Sequence, residues 1–191
     1  MDYKIVDPRI LKINKNELKA RLAMPTLSDG DFSELYNRLV LEAKPAYIAT
    51  RIPLIRENEG IRIGGITTKS RSLSEFSSGA SSYIAMVATL GVGVDRLILK
   101  TSKLSQVDAF VTDAMADALI EALCDYAEEE LCRGFNARGR FSPGYADLEL
   151  LVGYEILSLC RAENTLGIKV TDSGLMIPKK SVNALIAVKE V

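Results

Sequence analysis

Residues 106–133 constrain this chain more than any other stretch. Met115, Leu119, Ala122, Leu123 and Tyr126 recur at helical spacing and make an apolar stripe, and Glu130 continues the spacing. The spacing predicts a long helix from Gln106 to about Arg133. Asp117, Glu121, Asp125 and Glu128 fall on the opposite face. By spacing alone that face is a solvated acidic surface. The rival reading turns Glu121 into a pocket to meet a cationic ligand group, and nothing in the pattern selects it. The run "EEE" at 128–130 argues little for a metal, because consecutive helical residues point in different directions.

Around this helix the chain mixes both periods. Asn16 before "ELKARL", and Ser28 or Asp29 before "FSELYNRLVLEA", read as caps of short helices. Tyr47 to Thr67 is rich in β-branched residues around "ENEG", a hairpin pattern. "TKSRSLSEFSSGASS" reads as a surface loop or frayed helix. "SYIAMVATLGVGV" gives a short buried strand ending at Gly91, and "DRLILKTSKLS" opens a helix. "ADLELLVGYEILSLCRAENTLG" reads as a second long helix with Gly167 near its C-cap. Two strands joined around Pro178-Lys179-Lys180 end the chain. Strands and helices do not alternate regularly, so the expected class is α+β: a twisted antiparallel sheet with two long helices packed against it.

Composition removes several function classes. Lys+Arg is 24 against Asp+Glu 25, so no net field draws in nucleic acid or an anionic membrane. The chain has no Trp and is 6% aromatic, too poor for base-stacking platforms. The longest apolar run, "ALIAV", is far short of a membrane span. Without a signal-like N-terminus, Cys124, Cys132 and Cys160 read as reduced thiols of a cytoplasmic protein. The chain also contains no histidine. Ser-His or Cys-His nucleophiles, His metal ligands and an imidazole base are therefore excluded. Chemistry here rests on carboxylates, Lys, Tyr, Arg and backbone dipoles, or on a bound cofactor.

Two stretches invite a ligand. "TLGVGVD" (89–95) sets glycines between strand and helix, but it lacks the third glycine of a dinucleotide loop and the Lys-Ser/Thr of a P-loop. A tight strand-to-helix turn needs the same glycines and is the favoured reading. "GRFSPGYADLEL" (139–150) is a good turn by itself, with Pro143 fixing φ and Gly144 permitting reversal. Yet "GFNARGRFSPGYAD" gives a connection of about fourteen residues, long for two helices and of a length more often functional. Arg140 offers a guanidinium fork for a carboxylate, Tyr145 an aromatic face, and Gly144 an accessible backbone. These parts suit an amino acid joined to a flat heterocycle.

Taken in order, "ATLGVGVDRLI" (88–98), "DAMADALIEALCDYAEEELC" (113–132), "GRFSPGYADLEL" (139–150) and "AENTLGIKVTDSGLMIPKKSVNALIAV" (162–188) resemble the activation (reactivation) domain of cobalamin-dependent methionine synthase, in a free-standing form. The resemblance implies a single domain over 1–191, with an S-adenosylmethionine-binding core over 82–188 and residues 1–80 matching only in general character. It implies reductive reactivation of a corrinoid methyltransferase in methionine biosynthesis. Cobalamin (vitamin B12) is carried by a partner protein, and flavodoxin or ferredoxin supplies the electron. By position, Arg140 resembles the arginine that holds the methionyl carboxylate. Glu121 falls where a glutamate lies near the ligand ammonium, and Ser142, Gly144 and Tyr145 fall where the backbone contacts the ligand. A cleft beside the long helix would reconcile this with an exposed acidic face.

Departures from the family support a rival. Its N-terminal acid and late tyrosine pair at the ligand have no counterpart located here, and "LELLVGYEI" replaces a polar helix start. A docking module for a corrinoid protein that has lost S-adenosylmethionine would share these features. An ordinary small-molecule methyltransferase is a weaker alternative, since the chain lacks a Rossmann-type glycine fingerprint and alternating βα units.

Overall fold

The computed structural model describes residues 1–13, 18, 22, 28–171 and 174–190. The capped helix expected after Asn16 begins outside the described residues. The strands are β1 (Asp2–Ile5), β2 (Ala46–Pro53), β3 (Ile55–Glu57), β4 (Gly60–Ile63), β5 (Ile66–Thr68), β6 (Ser82–Thr89), β7 (Phe135–Phe141), β8 (Lys169–Val170), β9 (Met176–Ile177) and β10 (Ser181–Glu190). The helices are α1 (Asp29–Glu42), α2 (Arg71–Phe76), α3 (Val92–Ser102), α4 (Gln106–Leu131), α5 (Leu151–Leu159) and α6 (Ala162–Leu166). Among the described residues, no helix is long and apolar enough to cross a membrane.

Every residue of β6 is buried. It is the middle strand of a five-stranded sheet, ordered β1-β2-β6-β10-β7, in which all four pairings are antiparallel. Such a strand must be apolar on both faces, which is why "YIAMVA" shows no alternation. Ile84, Met86 and Ala88 enter one core with Leu39, Val94, Met115, Leu119 and Leu123. Tyr83, Ala85 and Val87 enter the other with Phe141, Val152, Ile156 and Leu185. So α1, α3 and α4 cover one face, and α5, α6 and the small β3-β4-β5 sheet cover the other. The expected α+β class with an antiparallel sheet is the class observed.

Several local expectations hold. Ser28 caps α1, accepting the Asp31 N–H at 3.0 Å, and Ser105 caps α4 in the same way at 3.1 Å. Gly167 closes α6 in the left-handed region, φ +68°. The "ENEG" turn joins β3 to β4, and β5 adds a third strand. The serine-rich stretch forms α2, pinned by fully buried Leu73 and capped by Ser70. The "TLGVGVD" glycines are structural: Gly91 takes φ +80° before α3, and Gly93 lies against the C-terminal end of α1.

Two expectations fail. The second long helix is divided into α5 and α6 by Cys160 and Arg161, the latter at φ +51°. Its apolar residues face the sheet through two short pieces instead of one stripe. The fourteen-residue connection is not a loop either, because Phe135–Phe141 is β7, an edge strand paired to β10. Gly134 and the segment after Phe141 are the parts that turn.

A Cβ on Gly93 would sit 2.3 Å from the Glu42 carbonyl oxygen, a backbone atom that cannot step aside. Gly93→Ala should therefore force α1 and α3 apart and destabilise the protein by about 1–3 kcal/mol. A lowered midpoint of urea unfolding with an unchanged slope would report it.

Candidate functional site

The site begins where β7 stops. β10 pairs with β6 over Ser181–Val188, but its ladder with β7 starts only at Leu185. Ser181 to Ala184 therefore lie on an open stretch of sheet edge. A cleft of about 280 Å³ occupies that opening, its lining including Glu121, Ser142, Leu150, Tyr154, Met176 and Asn183. Val182 packs on the α4 side of the sheet, whereas Asn183 lies against Gly153 of α5. The cleft thus wraps the edge from one face to the other. A second hollow of about 440 Å³ continues past Tyr154, Leu157 and Val170, which line both.

A bulge aims Arg140. Val188 pairs with Ala137 and Ile186 with Arg140, so Arg138 and Gly139 together oppose Ala187. Gly139 takes φ +69°, as the extra residue of such a bulge often must. Without it, register would place Gly139 opposite Ile186 and turn Arg140 to the other face. With it, the guanidinium meets the acidic face of α4. Arg140 donates to Glu128 and Asp125 at 2.8 Å each and to Glu121 at 3.2 Å. Lys180, at the start of β10, pairs with Asp113 at 2.9 Å and Asp117 at 2.6 Å. Desolvation pulls the Lys180 ammonium down, but the hydrogen bonds it donates to Asp117 and Asp113, with their negative charge, outweigh it and leave its pKa raised.

The acidic face is therefore neither wholly solvated nor a free ligand site. Glu121 is 63% exposed and still lines the cleft, so both sequence readings of this residue meet in one place. Ser142 lines the cleft as well. Gly144 takes φ +86°, and a Cβ there would meet Leu150 Cδ2 at 2.8 Å. Its N–H donates to the Leu148 carbonyl at 2.8 Å, and the Tyr145 N–H donates to the Ser142 carbonyl at 3.1 Å. Both backbone donors are used inside the turn. Tyr145 is 67% exposed, and its ring meets Phe141 edge-on at 5.4 Å. Among the predicted residues, Glu121 and Ser142 line the cleft and Arg140 is joined to it through its bond to Glu121, whereas Gly144 and Tyr145 are not among the lining residues.

Sequence reasoning passed over the anchors of this turn. Asp147 accepts from Ser70 Oγ at 2.6 Å, Arg71 N at 2.8 Å and Ser72 N at 3.2 Å, tying the turn to the start of α2. Glu149 accepts from Thr68 Oγ1 at 2.6 Å, and Glu155 from Gly65 N at 2.7 Å. Lys180 and Asn183 were also missed. Only the placement of Lys180 just after a Pro-containing turn hinted at a fixed role. Burial pushes the Cys124 and Cys160 thiols up to about 12, and the half-buried Cys132 up to about 11, so none offers a thiolate.

No protein-family model matches the chain, and no curated protein sequence matches it. Among solved structures, it is similar to a crystal structure of the MetH reactivation domain bound to AdoHcy. The TM-score is 0.67 at 22% identity, covering 94% of this chain and 68% of that one. This is the fold of the MetH reactivation domain. The match covers 94% of this chain and so extends beyond residues 82–188, the span of the sequence motifs.

Ser70 Oγ and two backbone N–H groups hold the Asp147 carboxyl down to about 2 from its ordinary 3.8. A carboxyl lowered in the folded state contributes fully above its unfolded value, and the contribution fades as pH falls from about 4 toward about 2. Asp147→Asn should lower the melting temperature at pH 7, and the gap from wild type should narrow between pH 4 and 2. A gap of constant size would mean that the charge is irrelevant to the anchor.

Proposed function

We propose that this chain binds S-adenosylmethionine, and its product S-adenosylhomocysteine, in the cleft beside the end of β7. It would serve there as a reactivation subunit for a corrinoid methyltransferase of the methionine synthase type. The supporting observation is the Arg140–Glu121 pair at 3.2 Å, the longest of the three Arg140 contacts, beside a cleft lined by Glu121 and Ser142. An α-amino acid zwitterion fits between such a pair, its carboxylate on the guanidinium and its ammonium on Glu121. Asp125 and Glu128 keep the fork in place while Glu121 changes partner. Ser142, Gly144 and Tyr145 would close the site largely through carbonyl oxygens and shape, since the N–H groups of Gly144 and Tyr145 are bonded within the turn.

In this role the chain binds and orients rather than exchanging protons. S-adenosylmethionine supplies a methyl group to the reduced cobalamin carried by the partner, with flavodoxin or ferredoxin as the electron source. The fold shared with a domain solved with AdoHcy supports this reading over a generic binding module. A second reading, a docking module for a corrinoid protein without the ligand, draws on the saturation of Arg140 by three carboxylates.

Calorimetric titration of S-adenosylmethionine and S-adenosylhomocysteine separates the two. The wild-type protein should bind both saturably. Arg140→Ala should cost about 2–5 kcal/mol of affinity, and Glu121→Gln about 1–2 kcal/mol, with folding of each variant checked by circular dichroism. A folded wild-type protein that binds neither ligand, yet retains a corrinoid protein in pull-down, would establish the docking module instead.

A further inference from the structure

Asn183 lies in the cleft with an unmet hydrogen-bonding capacity. Its Oδ1 is buried and has no hydrogen-bond partner, while its Nδ2 makes only a 3.3 Å contact to Met176 Sδ, a weak acceptor. The residue across from it is Gly153, where a Cβ would approach Nδ2 to 3.2 Å, so α5 leaves room for an amide at this point. An unpaired buried acceptor is costly to keep, and native structures seldom keep one without a use for it. The χ2 torsion of an asparagine is broad, so a small rotation turns the amide toward the cleft.

Register along β10 says which end of a ligand Asn183 could meet. Arg140 pairs with Ile186, three residues from Asn183, which is about 10 Å along a strand. A ligand whose amino-acid end lies at Arg140 and Glu121 would carry its far end to Asn183. On the ligand proposed above, that end is a purine. A carboxamide matches the amino edge of adenine, accepting from the exocyclic N–H and donating to a ring nitrogen.

We infer that Asn183 is a specificity-determining residue of the cleft, reading the exocyclic amino group of an adenine. The inference rests on the function proposed above and deepens it. Asn183 performs no chemistry; it selects the base and so fixes how far along the cleft the sulfur sits.

The test is a ligand-and-variant cycle read by calorimetry. S-adenosylhomocysteine is compared with its analogue carrying unsubstituted purine in place of adenine, on wild type, Asn183→Ala and Asn183→Leu. Wild type should prefer the adenine ligand by about 10- to 100-fold. Each variant should bind the two ligands within about threefold of one another, and either folded variant suffices. Equal binding of both ligands by wild type, or a preference that survives in the variants, overturns the role of Asn183 and leaves the proposed function standing. Binding of neither ligand by wild type overturns both.

Discussion

The burial of β6 on both faces is the constraint from which the rest of the architecture follows. A strand with eight buried residues cannot sit at an edge or face water. It needs a strand on each side and a layer on each face. β2 and β10 supply the flanks, and Lys44 and Pro53 bracket the span of β2 that reaches along it. Helix α4, with Met115, Leu119 and Leu123 fully buried, closes one face, and α5 with Val152 and Ile156 closes the other. Sequence-distant halves of the chain are thereby locked together, since β2 comes from the N-terminal part and β10 from the C-terminal end.

The site is a consequence of unequal strand lengths within that frame. β10 has ten residues and β7 seven, and their ladder is offset so that β7 leaves before β10 begins. An exposed sheet edge is normally a liability for association. Here it is roofed by the Ser142–Leu150 segment and by α5, which leave a cleft instead of a flush surface. The roof is held by polar contacts, Asp147 on the start of α2 and Glu149 on Thr68, and by the burial of Leu148, Val152 and Ile156 in the core on that face.

Elements dominated by burial were legible in the sequence, and elements dominated by pairing were not. The apolar stripe of α4 and the unbroken run of β6 announce themselves because burial selects side chains directly. β7 reads "FNARGRF", and its burial runs from partly buried through exposed to a single buried phenylalanine. An edge strand whose middle carries a bulge has no period-2 pattern to show, so it passed for loop. The isolated glycine inside it, Gly139, was the available signal. The break between α5 and α6 escaped for a different reason: "LSLCRAENTL" contains no Pro or Gly, and Arg161 adopts a positive φ that its identity does not advertise. Arg140 stood out by its turn and Glu121 by resemblance, and their contact became visible only once the bulge set the face. Asn183 is one polar residue in an apolar strand, and its unpaired oxygen is a fact of three dimensions.

The charge arrangement at the cleft bears on which ligand it would hold more tightly. Among the described residues, Asp113, Asp117, Glu121, Asp125 and Glu128 on α4 are paired with two cations, Lys180 and Arg140. Counted over these residues, the helix face beside the cleft carries a net negative charge even though its acids are engaged. For the ligand proposed above, the sulfonium of S-adenosylmethionine carries a positive charge that the sulfur of S-adenosylhomocysteine lacks. On that proposal, the same contacts at both ends would leave the methylated form favoured by the field. The margin is small. Asp117, Glu121 and Asp125 are each more than 60% exposed, and water and salt screen such charges strongly. On that proposal a modest preference would suit the cleft: enough field to seat the charged substrate, and too little to hold the neutral-sulfur product.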